Sequence, residues 1–430
     1  MTSDLLKPAK EAFVWIWLPN EIEPVVAGRI DLVDGVHHFT YGRSYLARQN
    51  AIPIFLPDLP LEPGIHVPEA PHLIAPCLRD GSPDLWGRRV ILNRLTGSKG
   101  AAIDVDALDE INYMLQSGSD RIGALDFQSS ATEYVPRLSG EATLAQLLAA
   151  ADLVEKGTPL PLELEEAIRH GTSIGGARPK AQLVDGDSKL IAKFSAAKDQ
   201  HSVVKGEFIA MRLAAAAGLD VASVDITEVA GKDVLLITRF DRALSDTGWT
   251  RRAMVSALTI LGLQEMQAHY SSYTDLAEKL RINAVEPDKT LRELFSRMVF
   301  NILVGNTDDH ARNHAAFWDG KIMKLTPAYD IDPRPRRSFE ANQSMGVFGA
   351  NRQSRLALAF EAAKDFHLSQ HDAEQIALRQ VEVIQDQFDA IAKAVDLSET
   401  DRFAIGDSAM LQPYAFSGLQ GRLGAMSERP

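Results

Sequence analysis

The stretch Gly305–Phe317 reads GNTDDHARNHAAF, and its interpretation decides how the rest of the chain is read. It places two carboxylates (Asp308, Asp309), two histidines (His310, His314) and two asparagines (Asn306, Asn313) within nine residues. Desolvating such a cluster is costly unless something is bound there. Just upstream, LRELFSRMVFNILVG carries Leu291, Leu294, Phe295, Met298 and Ile302 at helical spacing. That apolar stripe predicts a helix ending at Gly305, a residue suited to the left-handed cap. Downstream, HAAFWDGKIMKL reads as two short strands around an Asp-Gly turn.

A tight hairpin brings its ends together, so Asp330 in LTPAYDIDP is expected to return close to Asn313. A carboxylate and an amide oxygen at one point are hard ligands, suited to Mg²⁺ holding a nucleotide's phosphates. Asn313 follows Asp308 by five residues and Asp330 lies 17 further on, which matches the spacing of a protein-kinase catalytic loop. In that layout Asp308 accepts the proton of the attacking hydroxyl. The i,i+4 spacing of His310 and His314 offers a rival, a metal hydrolase. That rival needs a helix running through 305–314, against which Gly305, Asn306 and the hairpin speak. Asp309 has two readings, a second base or a support for metal or loop structure.

Composition bounds the rest. The chain has 430 residues, 45% hydrophobic and 24% charged, the profile of a globular protein of two to three domains. A net charge of −13 speaks against nonspecific adhesion to nucleic acid or anionic membranes. The longest apolar run near the start, Phe13 to Leu18, is too short for a signal core or a membrane span, and no later segment is long enough. The single cysteine, Cys77, fits a reducing compartment. A cytoplasmic location is expected.

Residues 12–42 look β-rich, and proline clusters in 52–83 imply extended connections. Short helices are expected over Arg88 to Leu95, Val105 to Leu115, 143–155 and 161–170. AQLV and KLIAKF flank VDGDS, a hairpin signal, and a helix from about 202 to 217 follows. VASVDITEVA and DVLLITRFD are further strands, and segments beyond 250 are mostly helical. Kinase chemistry also needs a strand lysine and a helix glutamate, for which Lys193 in KLIAKF and Glu207 on the next helix stand in the right order. Gly175 and Gly176 in GTSIGGARPK permit close backbone approach to phosphates, and Lys180 adds a charge. The bland alternatives are a solvent-facing lysine, an exposed helix glutamate and a flexible interlobe turn.

SIGGARPK, IAKF, RFDR, NTDDHARN and LTPAYDI resemble the corresponding motifs of HipA-family serine/threonine kinases, the toxins of HipBA-type toxin–antitoxin systems. HHFTYGRSYL, the proline-rich segment and GSDRIGALDF extend the resemblance over nearly the whole chain. It implies an α+β, protein-kinase-like two-lobe fold with an added N-terminal β-rich subdomain (1–125), a β-rich N-lobe region (126–240) and an all-helical C-terminal lobe (241–430). It also implies Asp308 as base, His310 as loop support, Asn313 and Asp330 as Mg²⁺ ligands, and Lys180 and Lys193 as nucleotide clamps. Thr238 to Phe240 fall at the hinge that contacts adenine, and Ser173 falls at a self-phosphorylated position, with Thr172 adjacent. The sequence departs from some members at the hinge acid, which is Thr238 here, and in RRAMVSALTILG. The implied partners are a HipB-like DNA-binding antitoxin and a protein substrate such as an aminoacyl-tRNA synthetase, with little direct binding to DNA. Two other functions remain open: a nucleotide-holding corepressor that docks on an antitoxin, and a small-molecule phosphotransferase.

Overall fold

Every second residue of VHHFTY turned inward (His37, Phe39, Tyr41) and the apolar run of FVWIWL write the first sheet. In the computed structural model, which describes residues 9–96, 108–137, 142–161, 163–165, 176–196 and 199–428, they become β3 (Val36–Tyr41) and β1 (Glu11–Ile16). With β2 (Val25–Val33), β4 (Ile65–His66) and β5 (Leu125–Gln128) they form a sheet in the order β4-β3-β2-β1-β5. β1 pairs antiparallel with β2 from Glu11↔Asp31, with a bulge at Val14/Trp15. The chain divides into two compact units, one of residues 1–198, 227–255 and 318–321, the other of residues 199–226, 256–317 and 322–430.

The first unit holds a second sheet. β6 (Lys180–Asp185) and β7 (Ser188–Phe194) form the expected hairpin, and β9 (Lys232–Thr238) pairs with the other edge of β7. β8 (Val224–Val229) lies beside β9, and β6 and β8 are the two edge strands. Helices Leu85–Thr96 and Leu144–Glu155 cover this sheet, with Trp86, Val90, Leu147 and Leu148 meeting Ala192, Phe194 and Val234 in one apolar cluster. Thr143 caps the second helix through a reciprocal pair with Gln146, which fixes its start. Helix Glu110–Gln116 occupies the C-terminal part of the expected 105–115 segment, capped by Asp109. Of the helix expected over 161–170, residues 163–165 are helical and 166–170 lie outside the described residues. A hairpin that the sequence reading did not anticipate, β10 (Arg242–Ser245) with β11 (Gly248–Arg251), follows β9 directly.

The second unit is built from helices Val203–Ala216, Tyr273–Asn283, Pro287–Val304 and Gln370–Ala394. The predicted stripe on Pro287–Val304 is its core face: Leu291, Leu294, Phe295, Met298 and Ile302 are all buried. The helix stops at Gly305, whose φ of +70° turns the chain, and a Cβ there would collide with the Ala409 carbonyl oxygen. Strands Ala315–Trp318 and Met323–Leu325 make the predicted short hairpin. Among the described residues no helix is long and apolar enough to cross a membrane.

Candidate active site

The loop after Gly305 is held by side chains rather than by regular structure. Asn306 Nδ2 donates to Asn301 Oδ1 at 3.1 Å, while Gln343 Nε2 donates to the Asn306 carbonyl at 2.9 Å. Ser344 N–H donates to the Thr307 carbonyl at 3.0 Å. Residues Ala311–Asn313 form one 3-10 turn that His310, with extended φ and ψ, begins. The α-helix that a His310/His314 metal pair requires is therefore absent. His314 Nε2 instead lies 2.8 Å from Asp309 Oδ1, with both side chains buried. Asp309 is thus fixed inside the loop, whereas Asp308, one residue earlier, is exposed.

Three contacts gather the other expected residues. Asn313 Nδ2 donates to the Asp308 carbonyl at 3.4 Å, which ties the amide to the loop through its nitrogen. Past the hairpin, Thr326 N–H donates to the Ala315 carbonyl at 3.0 Å and Tyr329 Oη to the Arg312 carbonyl at 2.8 Å. The segment bearing Asp330 is thereby returned to the turn bearing Asn313. Asp330 has a φ of +61°, a conformation that costs a non-glycine residue about 1 kcal/mol or more and clusters at functional sites. Arg334, which no sequence signal singled out, donates from Nη2 to Asp308 Oδ2 at 2.8 Å.

In the first unit, Lys180 and Lys193 are direct cross-strand partners, and both are buried, at 6% and 8% exposure. Like charges set opposite each other are unfavourable unless anionic groups compensate. Gly176, at φ +101°, lies against the Lys180 ammonium so closely that a Cβ would collide with it. Its N–H donates to Asp84 Oδ2 at 2.8 Å, and its carbonyl accepts from Trp86 N–H at 3.2 Å. Thr238 ends β9 opposite Leu190, and Phe240 follows it, half-buried. Glu207 is buried on helix Val203–Ala216 of the second unit. Ser173, Thr172 and Gly175 lie outside the described residues.

The motifs RFDR and GSDRIG, far apart in sequence, turn out to be halves of one buried charge network. Arg239 donates to both oxygens of Asp241 at 3.0 and 2.8 Å, and to the carbonyls of Asp120 and Arg121. Arg242 bonds Asp120 Oδ1 and Asp241 Oδ2, each at 2.8 Å, and also the Arg121 carbonyl. Gly123 N–H completes the set by donating to Asp241 Oδ2 at 2.8 Å. Burial pushes the Asp241 carboxyl up, but the Arg239 and Arg242 charges outweigh it and bring it down to about 2. Asp120 is likewise held well below the usual carboxylate range, by Arg239 first among its neighbours and against its own burial. The network anchors the chain at the end of β9, where Arg239 and Asp241 flank Phe240.

Residues 172–390, half of the chain, match the HipA-like C-terminal domain. The chain is 28% identical over 254 residues to the putative kinase Y4mE of Sinorhizobium fredii, spanning 54% of this chain and 59% of that protein. It is also 28% identical over 205 residues to the serine/threonine-protein kinase toxin HipA of Shewanella oneidensis, spanning 41% of this chain and 46% of that one. The chain thus spans about half the length of these curated relatives. In three dimensions it matches a chain of the Shewanella oneidensis HipA, HipB and operator DNA complex, with a TM-score of 0.63 and 19% identity over 92% of this chain and 94% of that chain. That likeness gives the protein-kinase-like α+β fold. On the match to its C-terminal domain, the chain belongs to the HipA family.

Proposed function

We propose that the chain is an ATP- and Mg²⁺-dependent serine/threonine protein kinase that acts as the toxin of a toxin–antitoxin system. The observation that carries the reading is the Tyr329–Arg312 tether, which returns Asp330 to the loop of Asp308 and Asn313 in the order a phosphoryl-transfer site requires. Among the described residues no group of three or more His, Cys, Asp or Glu forms a metal cage. The donor set of Asn313 and Asp330 suits instead a hard ion that takes its other oxygens from phosphates and water. Bound Mg²⁺ would neutralise charge developing on the transferred phosphoryl group. Lys180 and Lys193 would hold the phosphates, with Glu207 orienting Lys193 and His310 supporting the loop. Gly175 and Gly176 would cover the nucleotide while Thr238 and Phe240 line its base. Asp308, exposed at the loop crest, would take the proton of the attacking hydroxyl.

The partner reading is supported by the Shewanella oneidensis assembly of HipA, HipB and operator DNA: we expect a HipB-like antitoxin to bring this acidic chain to DNA. The resemblance to HipA toxins makes an aminoacyl-tRNA synthetase our candidate substrate and Ser173 our candidate for self-phosphorylation. The division into 1–125, 126–240 and 241–430 belongs to the same proposal, as does a cytoplasmic location. Incubation with γ-labelled ATP and a cell lysate tests it, followed by mass spectrometry of labelled proteins. Label in a lysate protein and in the chain itself, both dependent on Mg²⁺, is the expected result. Label confined to a small molecule would favour a phosphotransferase, and nucleotide binding without any transfer would favour a corepressor.

A further inference from the structure

The Asp308 carboxylate has one partner among the described residues, the Arg334 guanidinium, which takes Oδ2 and leaves Oδ1 unengaged. Arg334 is itself held at three points. Its N–H donates to the Gly305 carbonyl at 3.1 Å, its Nε lies 3.0 Å from Asp332 Oδ2, and its Nη2 reaches Asp308. The sequence Pro333-Arg334-Pro335 stiffens that placement, because proline fixes its own φ and confines the residue before it to extended conformations. The helix end, the segment after Asp330 and the loop crest are thus joined through one residue, by its backbone N–H and its guanidinium. Arg334 and Asp308 are 41% and 53% exposed, so the pair adds little to folding stability, and its consequence is to be sought in the chemistry.

We infer that Arg334 is a positioning residue for phosphoryl transfer: by holding Asp308 Oδ2 it fixes the carboxylate so that Oδ1 receives the substrate hydroxyl. This rests on the kinase reading above. In the step, the hydroxyl oxygen forms a bond to the γ-phosphorus of ATP. The bond from that phosphorus to the bridging oxygen breaks, and its electron pair leaves with ADP. The hydroxyl proton passes to Oδ1. Oδ2 stays with Arg334 throughout, so the base neither rotates away nor turns its bonded oxygen to the substrate.

The test is single-turnover transfer of label from γ-labelled Mg-ATP to protein by the full chain. It compares wild type, Arg334→Gln, Arg334→Lys, Asp308→Asn and the Asp308→Asn/Arg334→Gln double variant. A positioned base is worth about 10²–10⁴-fold in all, and Arg334→Gln keeps that base but frees its orientation. We expect a loss of roughly tenfold in transfer rate with the KM for ATP changed by less than about twofold, and partial recovery in Arg334→Lys. In the Asp308→Asn background the second substitution should cost less than about twofold, because the group it positions has gone. If Arg334→Gln does not fold, Arg334→Lys, which keeps the charge but not the fork, should by itself show a smaller loss in rate at unchanged KM. Transfer at the wild-type rate in the Arg334 variants overturns the inference. So does an equal loss in both backgrounds, which would mark a merely structural role. A wild type that binds Mg-ATP but transfers no label overturns the kinase reading itself, and the inference with it.

Discussion

Replacing Asp241 by asparagine nearly preserves its shape, removes the charge on which the buried network turns and sets an NH2 donor against one of the N–H groups the carboxylate accepts from. The carboxylate accepts four hydrogen bonds of 2.8 to 3.0 Å, from Arg239 twice, Arg242 and Gly123, with no exposed edge to offer a substitute. Breaking a buried pair by removing one partner costs about 3–5 kcal/mol, because the remaining charge stays desolvated. The lowered carboxyl pKa corresponds to a compatible, smaller figure. A pKa of about 2 against an unfolded value near 3.9 corresponds to roughly 2–3 kcal/mol. The folded pKa is depressed, so this stability is present above about pH 4 and is lost as pH falls towards 2. All five tryptophans (Trp15, Trp17, Trp86, Trp249, Trp318) lie in the unit that contains Asp241, so fluorescence-monitored urea unfolding reports on that unit. Asp241→Asn should lower its stability by about 3–5 kcal/mol, while Asp246→Asn in the exposed β10–β11 turn should stay within about 0.5 kcal/mol. A loss below about 1 kcal/mol for Asp241→Asn would refute the network's role as an anchor.

His37 presents Nε2 to Asp109 at 3.0 Å and Nδ1 to the Leu73 carbonyl at 2.9 Å, so the imidazolium can donate from both nitrogens. Burial alone would lower its pKa, but the Asp109 bond and charge prevail and raise it above 6.5. The resulting stability is present below about pH 6.5 and lost as pH rises through the raised value. Asp109→Asn should flatten this alkaline-side decline in urea midpoints, and identical slopes in the two proteins would contradict the pairing. Gly176→Ala forces a Cβ onto the Lys180 ammonium at a left-handed backbone position. Calorimetry should show ATP bound roughly tenfold more weakly, about 1.4 kcal/mol, and unchanged affinity would remove Lys180 from the phosphates.

What the sequence made legible was what is local or periodic. The stripe on Pro287–Val304, its stop at Gly305 and the hairpin after Asn313 follow from 3.6-residue spacing, a left-handed cap and an Asp-Gly turn. The positions of Lys180 and Lys193 on β6 and β7 follow from one hairpin signal. The long-range electrostatics were not legible. Asp120 meets Arg242 across 122 residues, and no property of either residue announces the partner. Arg334 was hidden for a related reason: in PRPRR it looks like one cation among several, and only the return of its segment to Gly305 brings it to Asp308. The exposure of Asp308 and the burial of Asp309 also needed coordinates, since adjacent identical residues differ only in which way the loop turns them.

That difference gives the most direct measurement of the account: phosphoryl transfer from γ-labelled Mg-ATP by Asp308→Ala and Asp309→Ala, with ATP affinity measured in parallel. Asp308→Ala should lose about 10²–10⁴-fold in transfer while binding ATP within about twofold of wild type. Asp309→Ala should keep far more of the transfer rate and lose stability instead, since its carboxylate braces the loop through His314. An active Asp308→Ala beside an inactive Asp309→Ala would show that the base is misassigned, and wild-type transfer equally fast without Mg²⁺ would remove the metal site from Asn313 and Asp330.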